Sequence, residues 1–64
     1  MSKITLKALR VNAGYSQKEA AKMIGVSNQT LCAYENGKAF PKQPTIERIC
    51  EVYGVAYDVI NFAP

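Results

Sequence analysis

Asn28 and Gln29 are neighbouring carboxamide side chains that follow Ser27, a residue type suited to begin a helix. A carboxamide donates and accepts hydrogen bonds at once, which matches the N6 donor and N7 acceptor of adenine. A helix in the major groove presents its first residues to the base edges. The pattern therefore indicates a base-reading surface, although such residues after a helix cap are also ordinary solvent-exposed positions.

The outward face of the same predicted helix continues through Thr30, Cys32 and Ala33, because Leu31 and Tyr34 must turn inward. Ala33 can touch a thymine methyl group, and Cys32 is small enough to let the helix approach. A packing or solvent role for Cys32 fits the sequence equally well, and nothing is placed to activate its thiol. The predicted base-reading residues are Asn28, Gln29, Ala33 and Cys32.

A second helix and a glycine turn must position this one. Ala21 stands four residues before Gly25, and Leu31 follows six residues after that glycine. A bulky side chain at the alanine would push the helices apart, and glycine adopts the positive φ of the turn at low cost. Helix, turn and helix over about residues 16–36 form the unit that lays its second helix in the DNA major groove.

Helix-end signals place the first two of five predicted helices. The first is capped by Thr5 and stops at Gly14. The second opens at Ser16, which forms a capping box with Glu19, and ends at Gly25. The apolar face of the first helix is predicted to contain Leu6, Leu9 and Ala13.

The remaining helices follow the same logic. The third ends before Gly37, and a loop over residues 38–43 leads to Pro44 at the first position of the fourth helix, which stops at Gly54. A short fifth helix is expected over residues 57–61. The apolar stripe of the fourth helix is Ile46, Ile49, Cys50 and Tyr53. Residues 1–64 are thus predicted to form one small all-α domain.

Positive charge is concentrated in the part of the chain that holds the predicted turn. Residues 1–43 carry seven lysines and arginines against two glutamates, whereas residues 44–64 carry one arginine against three acidic residues. A polyanion would be drawn to the first part. Taken without the motif, the same lysines would only solvate a small surface.

Several classes of protein are disfavoured by what the sequence lacks. It has no histidine, no clustered carboxylates and no glycine-rich phosphate loop, so we expect no enzymatic activity, cofactor, metal or small-molecule ligand. Two cysteines without a signal peptide suggest reduced thiols in the cytoplasm, and no apolar run is long enough for a membrane span.

The stretch SQKEAAKMIGVSNQTLCAYENGKAFP resembles the Cro/C1-type helix-turn-helix of bacteriophage repressors and related bacterial regulators. Its five-helix outline extends the resemblance over about residues 4–62. The resemblance implies a compact lambda-repressor-like fold with the helix-turn-helix at helices 2 and 3. It also implies a transcriptional regulator, most often a repressor, that binds double-stranded DNA.

Phosphate contacts are expected on both sides of the reading helix. The candidates there are Gln17, Asn36, Lys38 and Lys42. The resemblance makes Gln17 and Asn36 the usual contacts to the DNA backbone. It also pairs Arg10 with Glu35 and thereby holds Arg10 close to the phosphates, although two charged residues that simply face water remain the alternative.

The C-terminal end is more apolar than one short helix needs. Its candidate dimerisation residues are Val55, Tyr57, Val59 and Phe62, which are equally compatible with the core. The resemblance implies that two copies associate here and place their reading helices about 34 Å apart, a general spacing for such repressors on palindromic operators.

A rival reading is a protein-interaction module, such as an antitoxin or adaptor, that retains the fold without binding DNA. Asn28, Gln29, Lys38 and Lys42 argue against it, because such a module needs neither amides at the reading positions nor cations beside them. Among DNA-binding proteins, the sequence does not separate a phage repressor from a restriction-modification controller or a mobile-element regulator.

Overall fold

The computed structural model describes residues 3–62, in which four short α-helices enclose one hydrophobic core. In chain order the elements are strand β1 (Ile4–Thr5), helices α1 (Leu6–Asn12), α2 (Gln17–Ile24), α3 (Asn28–Glu35) and α4 (Gln43–Tyr53), a 3-10 turn (Tyr57–Val59) and strand β2 (Ile60–Asn61). The two strands pair in parallel, with Ile4 opposite Ile60 and Thr5 opposite Asn61. Within residues 3–62, no helix is long and apolar enough to cross a membrane.

The predicted helix caps are confirmed. Thr5 Oγ1 accepts a hydrogen bond from the Ala8 N–H at 3.1 Å. Ser16 Oγ accepts from the Glu19 N–H at 3.0 Å while the Glu19 carboxylate accepts from the Ser16 N–H at 2.9 Å, which completes the capping box. These bonds satisfy amides at the helix starts that have no partner within the helix.

The prediction of a fifth helix over residues 57–61 is wrong. A single 3-10 turn ends at Val59, and the backbone is then extended at Ile60, which is almost fully buried. Ile60 both fills the core and pairs with Ile4 at the other end of the chain, and this pairing holds the backbone in a strand. The overall all-α fold class holds, with one helix fewer.

Two smaller expectations also need correction. Helix α4 begins at Gln43, so Pro44 occupies its second position. The second position suits proline as well as the first, because a backbone N–H at either position has no partner within the helix and proline has no N–H to leave unpaired. Ala13 lies beyond the last residue of α1 and is exposed, so it takes no part in the apolar face.

The core lies between all four helices and β2. Its buried members are Leu6, Leu9, Ala20, Ala21, Ile24, Leu31, Ile49 and Ile60. Two consecutive alanines on α2 leave room for α3 to pack closely, with Leu31 completely buried beneath it. The opposite face of α3 is thereby turned outward.

Candidate nucleic-acid interface

The turn between α2 and α3 fixes the direction of α3. Gly25 has φ +91°, and its N–H donates to the Ala21 carbonyl at 2.8 Å. The Val26 N–H donates to the same carbonyl at 3.0 Å. A left-handed glycine with these bonds ends α2 abruptly and lets the chain begin α3 three residues later, at Asn28. The helix-turn-helix is therefore present where the sequence predicted it.

The first two positions of α3, Asn28 and Gln29, are exposed. Before them, Ser27 Oγ accepts from the Thr30 N–H at 3.0 Å and donates to Thr30 Oγ1 at 2.8 Å, so two hydrogen bonds join the cap to the first turn. Farther along α3, the side chains of the outward face are less exposed. Of the other predicted base-reading residues, Cys32 and Ala33 are each only half-buried.

A buried polar cluster holds the C-terminal end of α3 against α1. Arg10 donates to Glu35 from Nε to Oε2 at 2.7 Å and from one terminal nitrogen to Oε1 at 3.2 Å. Its other terminal nitrogen donates to the Tyr15 carbonyl at 3.1 Å. The predicted Arg10–Glu35 pair is thus confirmed, and the bond with Glu35 raises the pKa of Arg10.

Sequence reasoning missed two members of this cluster. Gln17, expected only as a phosphate contact, donates from Nε2 to Glu35 Oε1 at 3.2 Å. The Tyr15 carbonyl carried no signal in the sequence, because a backbone acceptor leaves no trace in residue type. A contact from Gln17 or Arg10 to a phosphate would have to use the N–H bonds that this cluster leaves over.

The other predicted phosphate contacts lie between the C-terminal end of α3 and the start of α4. Asn36 is the exposed C-cap residue of α3, and the exposed Lys38 follows Gly37, whose φ is +72°. The Lys38 N–H donates a hydrogen bond to the Ala33 carbonyl at 2.9 Å, which ties the loop to the helix. Lys42, also exposed, is the N-cap of α4 and makes no capping bond through its side chain.

An exposed aromatic surface lies beside this loop. The ring centroids of Phe40 and Phe62 are 5.1 Å apart, and those of Tyr57 and Phe62 are 6.0 Å apart. Phe40, Tyr57 and Val59 are 62%, 56% and 41% exposed. We call Phe40, Tyr57, Val59 and Phe62 the aromatic patch. Val55, the other predicted dimerisation residue, packs half-buried against the core.

Phe40 was missed as part of this surface. The available signal was a large aromatic residue, next to Pro41, in a loop that has a lysine near each end. Among the described residues, no group of three histidines, cysteines or acidic residues is arranged to hold a metal ion.

Comparison with known proteins agrees with this geometry. Residues 6–60 match the helix-turn-helix family model. The cryptic phage CTXphi transcriptional repressor RstR of Vibrio cholerae is 42% identical over 50 residues, which cover 78% of this chain and 45% of that repressor. The SPbeta prophage-derived uncharacterized HTH-type transcriptional regulator YonR of Bacillus subtilis is 36% identical over 55 residues, or 86% of this chain and 51% of that regulator.

A third relative is named as an antitoxin and not as a transcriptional regulator. This is antitoxin PezA of Streptococcus pneumoniae, 35% identical over 57 residues, or 88% of this chain and 36% of the antitoxin. The chain spans about half the length, or less, of these three curated relatives. The matched region includes the whole helix-turn-helix and all four helices. The chain therefore belongs to the Cro/C1-type helix-turn-helix family.

Proposed function

We propose that this protein binds double-stranded DNA sequence-specifically and regulates transcription, acting as a repressor in the cytoplasm. The observation that carries the proposal is the exposed pair Asn28 and Gln29 at the start of a helix held in helix-turn-helix geometry. In the major groove, this end of α3 meets the base edges. Each carboxamide then offers the paired donor and acceptor that adenine requires.

Contacts to the DNA backbone come from the other end of the helix: the C-terminal end of α3, the loop after it and the start of α2. In this proposal Lys38 and Lys42 bind phosphates as cations, whereas Asn36 and Gln17 donate neutral hydrogen bonds. Support comes from the exposure of both lysines and Asn36 in and beside the loop that follows α3. Arg10 contributes chiefly by holding Glu35, and any N–H it has left over adds a phosphate contact.

Two copies are needed for tight binding, since one short reading helix contacts few base pairs. We propose that the copies associate through the aromatic patch and bind a palindromic operator. The exposure of three of its four residues supports this assignment, because large apolar groups in water mark interaction surfaces. Tyr57, Val59 and Phe62 of this patch lie within the region predicted for dimerisation, residues 55–62, and Phe40 extends it into the loop.

A second candidate function is favoured by one observation, the similarity to an antitoxin over most of this chain. In that case the aromatic patch would bind a different protein. The two functions are not exclusive, but only the first requires an exposed reading pair together with cations in the loop after the same helix.

Selection of bound duplexes from a random DNA pool tests the proposal. We expect a palindromic consensus whose half-sites are centred about one helical turn apart. Recovery of unrelated sequences, with the same affinity for all of them, would overturn sequence-specific binding. A soluble partner protein bound without any DNA binding would favour the second candidate.

A further inference from the structure

Cys32 and Asn36 are joined by two hydrogen bonds across one turn of α3. The Asn36 N–H donates to the Cys32 carbonyl at 3.0 Å, as in any helix. In addition, Asn36 Nδ2 donates to Cys32 Sγ at 3.3 Å. The second bond holds the carboxamide of an exposed C-cap residue against the side of the helix.

This restraint matters because Asn36 stands next to the basic loop that begins at Lys38. A carboxamide nitrogen carries two protons. When the sulfur accepts one of them, the other remains in solvent with its direction already set. A donor that is ordered before binding loses less side-chain freedom when it reaches an acceptor such as a phosphate oxygen.

The position of Cys32 fits this role better than base reading. Its side chain is half-buried, whereas Asn28 and Gln29, one turn earlier, are exposed. A thiol is also a weak hydrogen-bonding group that discriminates poorly between base edges. Its sulfur is already occupied as the acceptor for Asn36.

We propose that Cys32 is a positioning residue that orients the Asn36 carboxamide toward a DNA phosphate and does not itself read a base. The inference rests on the proposed DNA binding. Its consequence is that loss of the sulfur weakens binding to every DNA sequence equally and leaves the preferred sequence unchanged.

A double-mutant cycle with Cys32→Ala and Asn36→Ala tests this. Affinities are measured for the selected operator and for a random duplex of equal length. We expect each single variant to lose about two- to tenfold in affinity on both duplexes, as for one neutral hydrogen bond. The double variant is expected to lose no more than Asn36→Ala alone, because the sulfur acts only through Asn36.

Cys32→Ser retains an acceptor at this position and should recover part of the lost affinity. Cys50→Ala, which removes the other half-buried cysteine, on α4, is the matched control and should leave DNA affinity unchanged. Independent losses that multiply in the double variant would overturn the inference. A selective loss on the operator would do the same, by returning Cys32 to the base-reading residues.

Nuclear magnetic resonance of the free protein supplies a readout that does not depend on DNA. One of the two side-chain Nδ2 protons of Asn36, the one that the sulfur accepts, should exchange more slowly with water in the wild type than in Cys32→Ala. Equal exchange rates would show that no restraint exists and would overturn the inference even if the protein binds DNA. Slow exchange in a protein that binds no duplex would instead reject the proposed function, and with it any phosphate for Asn36 to meet.

Discussion

Arg10 and Glu35 form a two-point ion pair between α1 and the last residue of α3, with N–O distances of 2.7 and 3.2 Å. The Glu35 side chain is only 3% exposed, and that of Arg10 is 13% exposed. Gln17 donates to the same carboxylate from the start of α2. Three helices are thus joined at one buried carboxylate. The orientation of α3, the reading helix, depends on these bonds.

Arg10→Met should destabilise the fold by about 3–5 kcal/mol, because it leaves the Glu35 carboxylate buried without its cation. Chemical denaturation monitored by circular dichroism measures the loss. The double variant Arg10→Met with Glu35→Leu is the control and should recover most of the stability, since it leaves no buried charge. An unchanged denaturation midpoint in the single variant would contradict a structural role for the pair.

Tyr53→Phe should leave stability at neutral pH unchanged or slightly higher. The Tyr53 hydroxyl is buried and has no hydrogen-bond partner among residues 3–62, so its removal forfeits nothing. Burial, followed by the charge of Glu35, raises the pKa of Tyr53.

The raised pKa also fixes a pH dependence. The folded protein disfavours ionised Tyr53, so this group leaves stability unaffected below its unfolded pKa of about 10 and lowers it as pH rises from there through the higher folded pKa. Tyr53→Phe should therefore flatten the alkaline fall in the free energy of unfolding. Tyr57→Phe, at an exposed tyrosine, is the control and should leave the curve unchanged. An alkaline limb identical in wild type and Tyr53→Phe would reject this assignment.

The sequence predicted the local features of this fold better than the distant ones. Ser16 and Glu19 are three residues apart, so their capping box is written in the sequence. The form of the C-terminal segment depends instead on Ile60 meeting Ile4, and a local apolar pattern carries no information about that pairing.

In the candidate site, too, the sequence predicted local features better than contacts between distant residues. Helical periodicity placed Asn28 and Gln29 outward, as observed, because they lie in a regular element. Phe40 lies in a loop, where periodicity assigns no face. Its contact with Phe62 joins residues that are far apart in the sequence, so no local pattern predicts it. The Arg10–Glu35 pair was found only through the family resemblance, since 25 residues separate the two side chains.

Lys38→Ala and Lys42→Ala should weaken binding to operator and random duplexes by similar factors. Each lost phosphate contact should lower the slope of log affinity against log salt by about one unit. A salt series on both duplexes gives the slopes. Arg48→Ala is the charge-matched control, because Arg48 lies on α4 and donates to the Met23 carbonyl at 3.0 Å. An unchanged slope in both lysine variants would remove them from the phosphate contacts.

Asn28→Ala and Gln29→Ala should give the opposite pattern. A lost bidentate contact to a base costs roughly 1–3 kcal/mol on the preferred site and little on random DNA. Competition between operator and random duplex measures the change in discrimination. Both side chains are exposed, so the melting temperature should stay close to that of the wild type. Variants that keep full discrimination would show that α3 reads DNA with other residues.

Val59→Glu and Phe40→Glu should abolish cooperative binding to a palindromic duplex while leaving weak binding to one half-site. Both side chains are exposed in the aromatic patch, so a charge there costs the fold little but opposes association through an apolar surface. Linked half-sites gain affinity only while the two copies remain associated. Val11→Glu is the matched control, because Val11 is 57% exposed on α1 and lies outside the patch. Analytical ultracentrifugation of the complex with the palindromic duplex should give two proteins per duplex for the wild type and for Val11→Glu. One wild-type protein per duplex at saturation would reject the dimer, and unchanged cooperativity in both patch variants would move the interface elsewhere.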